Sequence, residues 1–123
     1  GPMSPEQRHH YDTVLAAQQA GVDAMVAGAG TAQVDAAART VIADAGWADS
    51  FTHGTGHGVG LDIHELPRVA KDVPDVYELG TVATVEPGVY LKGNAGVRIE
   101  DTCVVTTSGA ERLTGFPKDP EVL

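Results

Sequence analysis

The chain changes character near residue 51, and this change limits what it can fold into. Before that point, apolar residues recur at helical spacing in two alanine-rich segments that start near Ser4 and Thr31. After it, glycine and β-branched residues dominate, as is typical of strands and turns. This order predicts an α+β chain in which two helices pack on an antiparallel sheet.

The first helix has a clear start signal. Ser4 is the predicted N-cap, Pro5 occupies the first helical position, and Gln7 closes a capping box. We expect Gly28 and Gly30 to stop this helix. Its predicted apolar stripe consists of Val14, Leu15, Gln18, Val22, Met25 and Val26.

The second helix is predicted to have Thr31 as its N-cap and Gly46 just beyond its last turn. Residues 66–80 contain two prolines and are interpreted as an irregular connection. The predicted stripe of the second helix is Val34, Ala37, Ala38, Val41, Ile42 and Ala45.

Two β-rich runs, residues 81–91 and 97–107, flank a short glycine-containing segment and predict a hairpin. If residues 92–96 form the loop, Leu91 faces Val97.

In this register Glu86 lies opposite Thr102, and Glu100 lies opposite Gly88. Side chains alternate along a strand, so Glu86, Arg98 and Glu100 share one face. The two glutamates become diagonal neighbours, roughly 7–8 Å apart. Two converging carboxylates repel each other unless a cation or a proton lies between them, which favours a metal site.

A glycine-rich segment carries the candidate imidazole ligand. Gly54-Thr-Gly-His57-Gly-Val-Gly60 precedes Asp62-Ile-His64-Glu65. Glycines weaken an ordinary strand, and their spacing leaves room for close backbone approach to a ligand. A lone histidine is more often structural, but this setting favours His57 as a metal ligand.

Three motifs resemble the pita-bread metallopeptidases, the family of methionine aminopeptidases, Xaa-Pro aminopeptidases and Xaa-Pro dipeptidases (prolidases). The motifs are His53-Gly-Thr-Gly-His57, Thr84-Val-Glu86-Pro-Gly-Val-Tyr90 and Val97-Arg98-Ile-Glu100-Asp101. The similarity runs from about Ser4 to the C-terminus. It implies the C-terminal half of a pita-bread fold, with two helices packed on a curved antiparallel sheet.

The resemblance also implies a ligand set. His57, Glu86 and Glu100 match three of the five ligands of the family's two-metal centre, for which manganese, cobalt and zinc are all plausible. The other two ligands are aspartates that precede the helix beginning near Ser4, and this chain has no such hairpin. Four aspartates lie on predicted helices and cannot replace them: Asp12, Asp23, Asp35 and Asp44.

His53 and the sequence around Arg98 resemble the prolyl-specific branch most. The resemblance implies that Glu86 handles the proton of the attacking water and that His64 steadies the carbonyl oxygen. His53 and Arg98 would position the proline side of the substrate. The predicted function is therefore a fragment of an Xaa-Pro dipeptidase, weak or inactive alone, holding one metal ion or none.

Alternatives from other classes stay open. An Xaa-Pro aminopeptidase, a methionine aminopeptidase, a metal-free creatinase-like enzyme and a non-enzymatic peptide-binding module share the fold. The exposed edge of a half-domain predicts self-association or a homodimer.

Composition excludes other partners. The chain has 123 residues, 8 of them basic and 17 acidic, and a net charge of −9, which argues against nucleic acid. It has a single cysteine and no apolar run of about 18 residues, so we expect a cytoplasmic protein without a membrane partner. Residues 1–3 resemble a tag remnant, which leaves 4–123 as the catalytic-domain segment.

Weaker signals concern single residues. Adjacent His9 and His10 point in different directions on a helix, so a solvated face is the preferred interpretation. Cys103 is predicted to be a buried packing thiol on the face opposite Glu100. Asp101 lies on the same face as Cys103, opposite Glu100. A role beside the metal ligands and a role at the surface are equally plausible for it.

Overall fold

The computed structural model describes residues 2–120 and contains two helices followed by seven short strands. A 3₁₀ turn, Ala48–Ser50, joins the helical part to the strands. The helices are α1 (Pro5–Ala24) and α2 (Thr31–Asp44). The strands are β1 (Gly56–Gly58), β2 (Glu65–Val69), β3 (Val82–Val85), β4 (Gly88–Tyr90), β5 (Gly96–Arg98), β6 (Asp101–Thr106) and β7 (Gly109–Arg112).

The strands form two antiparallel sheets. Five strands align in the order β2-β1-β3-β6-β7, and β4 pairs with β5 in a separate ribbon. The two helices pack on each other and on these strands. The predicted α+β arrangement of two helices on an antiparallel sheet is confirmed.

Apolar side chains fill two clusters between the helices and the strands. The first includes Val22, Met25, Val34, Val69, Tyr77, Ala83, Val85, Cys103 and Val105. The second includes Tyr11, Val14, Ala17, Ala38, Ile42, Phe51, Val89 and Ile99. The second cluster lies behind the β4–β5 ribbon, so it supports the strands that follow Glu86 and precede Glu100.

Helix α1 begins as predicted and ends earlier than predicted. Ser4 is its N-cap, and the capping box with Gln7 is formed. The helix ends at Ala24, because the Met25 N–H bonds to the Val22 carbonyl while the Met25 side chain is buried in the core. Gly28 lies in the following turn, where its φ of 82° suits glycine.

Helix α2 starts one residue earlier than predicted. Gly30 is the N-cap, and Thr31 is the first helical residue, buried, with its N–H bonded to the Asp75 carbonyl. Gly46 follows the Ala45 C-cap with a φ of 83°, as predicted.

The interpretation of residues 66–80 as an irregular connection is partly wrong. Strand β2 covers Glu65–Val69 and pairs with β1 at the edge of the sheet. Pro67 is tolerated there because an edge strand has one side free of ladder hydrogen bonds.

The hairpin is also present, but its predicted register is wrong. Tyr90 pairs with Gly96, so the loop is residues 91–95 and is closed by a hydrogen bond from the Leu91 N–H to the Ala95 carbonyl. A Cβ on Gly96 would lie 2.9 Å from Tyr90 Cδ1, so the Tyr90 ring covers this glycine and favours the observed pairing.

Among residues 2–120, no helix has the length and apolar character needed to cross a membrane.

Candidate metal centre

The candidate site lies where the paired strands are interrupted. Strand β3 ends before Glu86, β4 begins after Pro87, and the partner strand is interrupted at residues 99–100. Proline has no N–H to donate to a ladder. The residue before Pro87 is Glu86, and its N–H bonds to the Thr55 carbonyl of the glycine-rich segment, at 2.7 Å. The interruption therefore ties Glu86 to the glycine-rich segment.

The observed register changes the predicted relation between the two glutamates. Val85 pairs with Asp101 on one side of the interruption, and Gly88 pairs with Arg98 on the other. Continuing this register across the gap puts Glu86 directly opposite Glu100, not diagonal to it. The predicted partners were wrong by two residues, a shift that leaves each side chain on its predicted face.

The glycines beside His57 make room for backbone, not for a ligand. A Cβ on Gly56 would lie 1.9 Å from the Thr84 carbonyl oxygen. A Cβ on Gly58 would lie 2.1 Å from the Leu66 carbonyl oxygen. The expected close approach to a ligand is therefore corrected: these glycines let β1 fit tightly between β2 and β3.

His57 and Glu86 face each other across the site. His57 Nε2 lies 3.1 Å from Glu86 Oε1, and both side chains are largely buried. His57 Nδ1 lies 2.9 Å from the Gly58 carbonyl oxygen. Both neighbours are acceptors, so a neutral ring can donate to only one of them. The tautomer with hydrogen on Nδ1 donates to the Gly58 carbonyl and turns the Nε2 lone pair toward Glu86.

Thr84 connects these two groups. Its hydroxyl accepts a hydrogen bond from the His57 N–H at 3.1 Å and donates one to Glu86 Oε1 at 2.8 Å. The Thr84 residue is only 2% exposed, so water competes poorly for the hydroxyl. The threonine fixes one carboxylate oxygen relative to the histidine.

Two further predicted residues border this pair. The His64 ring centroid lies 4.3 Å from that of His57, and His64 is exposed. Arg98 Nε lies 3.6 Å from Glu86 Oε2, with half of its side chain exposed. Both are therefore adjacent to the candidate ligands and accessible from solvent.

His53 lies at the opposite end of the glycine-rich segment. Its Nε2 is 3.0 Å from the Tyr90 hydroxyl. Gly88 lies beneath this contact, because an added Cβ would be 2.8 Å from the Tyr90 hydroxyl and 3.0 Å from His53 Nε2.

The donors fit a divalent ion in part. Two ligands bound to one metal at about 2.1 Å are about 3.0–3.4 Å apart, which matches the His57–Glu86 separation. Glu100 is exposed, and among residues 2–120 no group of three or more His, Cys, Asp or Glu side chains is arranged to hold a metal ion. The imidazole and carboxylate pair is the part of the predicted ligand set that the structure brings together.

Sequence reasoning gave no role to Thr84 or Tyr90, which contact residues of the site, or to Asp35, which contacts Thr55 next to the site. Thr84 lies two residues before Glu86, on the same face of the strand, which is a signal that could have identified it. Asp35 is a charged residue within the apolar stripe of α2 and lies four residues before Arg39, the spacing of a helical ion pair.

The weaker predictions had mixed outcomes. His9 is exposed as predicted, but the solvated-face prediction is wrong for His10, which is buried against Trp47 with its Nε2 3.2 Å from the Val89 carbonyl oxygen. Cys103 is fully buried, as predicted, and burial raises the pKa of its thiol to about 11.

Asp101 is fully buried, so the surface alternative for this residue is wrong. Its carboxylate accepts hydrogen bonds from Gln18, Arg112 and Lys118 at 2.7–2.8 Å. Asp12 and Asp23 lie on α1, and Asp35 and Asp44 lie on α2, as predicted.

Residues 1–107 match the model of metallopeptidase family M24, and the chain belongs to this family. The predicted relation to the pita-bread metallopeptidases is thereby confirmed.

Relatives of this chain include prolyl-specific enzymes. It is 45% identical over 114 residues to the Xaa-Pro dipeptidase of Pyrococcus furiosus, covering 93% of this chain and 33% of that protein. The crystal structure of the prolidase from Pyrococcus horikoshii superposes with a TM-score of 0.92 and 41% identity, over 95% of this chain and 34% of that one. An X-Pro aminopeptidase from Thermotoga maritima gives a TM-score of 0.93 and 36% identity, over 97% and 34%. The chain thus spans about a third of the length of these relatives.

Proposed function

We propose that this chain is part of an Xaa-Pro dipeptidase, to which it contributes three ligands of a two-metal centre: His57, Glu86 and Glu100. The observation that carries the proposal is the His57–Glu86 pair, 3.1 Å apart, with His57 Nδ1 directed at the Gly58 carbonyl. A metal-binding histidine commonly donates its second N–H to a carbonyl in this way. Membership of a metallopeptidase family supports the same interpretation.

Divalent ions of manganese, cobalt or zinc, when bound, would supply an activated water and polarise the scissile carbonyl. Glu86 would accept the proton of the attacking water through Oε2, the carboxylate oxygen that Thr84 does not engage. His64 donates a hydrogen bond to the carbonyl oxygen as it gains charge. Its exposed ring beside His57 is placed for that contact.

His53 and Arg98 bind the proline side of the substrate. His53 is held by the Tyr90 hydroxyl, and Arg98 lies across the ribbon from Gly88, which has no side chain. Together they border an exposed region next to Glu86. A proline ring fits beside the imidazole, and a substrate carboxylate fits the guanidinium.

An Xaa-Pro aminopeptidase is the second candidate, because the Thermotoga maritima X-Pro aminopeptidase matches this chain over nearly its whole length. The two activities differ in how the ends of the peptide are bound. A full-length protein that contains this segment should cleave an Xaa-Pro dipeptide faster than a longer Xaa-Pro-Xaa peptide. The reverse preference would favour the aminopeptidase.

The central test is the variant Glu86→Gln in the same full-length protein, assayed on an Xaa-Pro dipeptide with added Mn²⁺. Loss of the carboxylate that binds metal and accepts the proton should lower kcat by about 100- to 10,000-fold. Glu111→Gln, an exposed glutamate on β7, is the matched control and should retain full activity. Full activity of Glu86→Gln would overturn the proposal.

The isolated chain is proposed to be inactive, or nearly so. The resemblance assigns the other two ligands to aspartates that precede α1, and a bridged metal pair would need them. Self-association or a homodimer is proposed as well, since strand β2 lies at a sheet edge. The exposed residues Leu61 and Ile63 precede this strand, and exposed Leu66 lies on it. Substantial dipeptide hydrolysis by the chain alone would contradict the first proposal, and a monodisperse monomer in light scattering would contradict the second.

A further inference from the structure

A buried ion pair on helix α2 lies directly behind the glycine-rich segment. Asp35 is fully buried, and its carboxylate is bound by the Arg39 guanidinium through both oxygens. Asp35 Oδ1 also accepts hydrogen bonds from the Thr55 N–H at 3.1 Å and the Thr55 hydroxyl at 2.8 Å. The carboxylate therefore has one set of partners on its own helix and another on the segment that leads to His57.

Arg39 contacts the same segment. It donates to the Phe51 carbonyl at 3.0 Å and to the His53 carbonyl, and its guanidinium carbon lies 4.0 Å from the centre of the Phe51 ring. A guanidinium is rigid and planar, so several bonds to one segment fix its position closely. The pair thus holds residues 51–55 at three backbone positions: two carbonyls and the Thr55 N–H.

These contacts continue into the candidate site. The Thr55 carbonyl accepts the Glu86 N–H at 2.7 Å. The His53 ring packs edge-on against Phe51, with centroids 5.1 Å apart, and His57 follows Thr55 by two residues. Strand β1 pairs with β2 at three positions but with β3, the strand that leads to Glu86, at only one, so the β1–β3 ladder alone gives little support.

We propose that Asp35 and Arg39 are positioning residues that set the distance between the His57 and Glu86 ligands. They act through the Thr55 backbone, which is bound to Asp35 on its N–H side and to Glu86 on its carbonyl side. The importance of that distance for metal binding rests on the proposed function. The geometric effect itself is independent of any metal.

The test uses the ¹⁵N-labelled 123-residue chain and its variant Arg39→Gln. Amide hydrogen exchange reports the Glu86 N–H, and the Val105 N–H, which donates to the Thr81 carbonyl, serves as the internal reference. Exchange at Glu86 should accelerate about tenfold more than exchange at Val105. The absorption spectrum of added Co²⁺ gives a second readout, and its affinity should fall by about 10- to 100-fold.

Arg112→Gln is the matched control, because Arg112 also pairs with a fully buried aspartate, Asp101, but does not touch residues 51–55. It should leave the ratio of the Glu86 and Val105 exchange rates unchanged. If Arg39→Gln does not fold, Arg39→Lys, which keeps the charge beside Asp35, should give the same selective acceleration at Glu86.

Equal acceleration at Glu86 and Val105 in the Arg39 variants would overturn the proposal, since it would indicate general destabilisation only. The same selective response in Arg112→Gln would overturn it too. The Co²⁺ readout depends on the proposed metal site and the exchange ratio does not, so if the wild-type chain fails to bind Co²⁺ the exchange ratio alone decides the positioning role. The two hypotheses therefore fail separately.

Discussion

Two buried aspartates, Asp35 on α2 and Asp101 on β6, solve the same physical problem in different ways. Both are fully buried, and both pair with an arginine. Asp35 bonds to Arg39, four residues away, and to the N–H and hydroxyl of Thr55. Asp101 bonds to three side chains that are distant in sequence: Gln18, Arg112 and Lys118.

The difference lies in what each carboxylate holds. A buried charge is costly unless it is paired and hydrogen-bonded, so both sets of partners stabilise the fold. The contacts of Asp35 and Arg39 end on the backbone of residues 51–55 and thereby fix the segment beside Glu86. The contacts of Asp101 end on side chains and tie α1, β7 and the chain near Lys118 to β6. One cluster sets local geometry, and the other joins separate parts of the fold.

Removing either carboxylate should give the largest effect on stability. Asp101→Ala leaves two cations without their anion. Asp35→Ala leaves the Arg39 charge without its anion and two Thr55 donors without their acceptor, so each variant should lose about 3–5 kcal/mol in urea unfolding. Only Asp35→Ala should accelerate exchange of the Glu86 N–H selectively. Asp12→Ala, on the exposed side of α1, should change stability by less than about 0.5 kcal/mol. Selective exchange at Glu86 in Asp101→Ala would erase the contrast between the two clusters.

The segment that Asp35 holds can also be disrupted without touching Asp35. In Gly56→Ala the new methyl would lie 1.9 Å from the Thr84 carbonyl oxygen, which belongs to a buried strand and cannot move aside freely. We expect a loss of about 3 kcal/mol and separation of β1 from β3, seen as a chemical-shift change at His57. Gly93→Ala, in the exposed hairpin loop, is the control for the substitution itself and should leave the His57 resonance in place, although its φ of 80° adds local strain. An unshifted His57 in Gly56→Ala would mean that β1 does not set the ligand position.

The sequence predicts features that depend on a few neighbouring residues better than contacts between residues that are far apart in the chain. The capping box at Ser4, the glycine after α2 and the hairpin are encoded within a few residues, and each was predicted. The proximity of His57 and Glu86 was suggested by motifs whose order is typical of a known family. The hairpin register was missed because glycine content identifies a loop but not its exact ends.

Contacts that depend on the packed fold could not be predicted from local patterns. His10 looked like a solvated helix residue, and only the packing of α1 on Trp47 and β4 buries it. Asp101 gave no sign of its partners, since Gln18 lies 83 residues away. Asp35 could have been recognised, because a charge in an apolar helical stripe must find a partner.

Cys103 lies two residues after Asp101 on β6, and the titration of its thiol reports on the Asp101 side of the molecule. Burial, aided by nearby Asp101, raises the pKa of Cys103 from 9.0 to about 11. The folded state therefore disfavours the thiolate. The stability that comes from burying the neutral thiol is fully present below pH 9 and is lost as the pH rises from 9 through 11. The loss at high pH should reach about 2–3 kcal/mol in urea unfolding.

Cys103→Ala is the control for this titration and should have a flatter stability profile between pH 9 and 11. Burial also raises the pKa of Tyr77, whose titration adds to the loss from about its ordinary pKa upward. The comparison is therefore made in a Tyr77→Phe background. An identical profile with and without Cys103 would show that its burial has no energetic consequence.

Tyr77 itself gives the smallest expected effect and extends the comparison to a buried polar group without a partner. Its hydroxyl is enclosed in the first core cluster and has no hydrogen-bond partner among residues 2–120. Because an unsatisfied hydroxyl is costly to bury, Tyr77→Phe should stabilise the chain by about 1 kcal/mol in urea unfolding. Tyr11→Phe is the matched control: the Tyr11 hydroxyl donates to the Lys118 carbonyl at 3.1 Å, so its loss should destabilise by about 1 kcal/mol. Destabilisation by both variants would mean that a bound water satisfies the Tyr77 hydroxyl. The buried hydroxyls of Tyr77 and Tyr11 and the two buried aspartates would then all have hydrogen-bond partners.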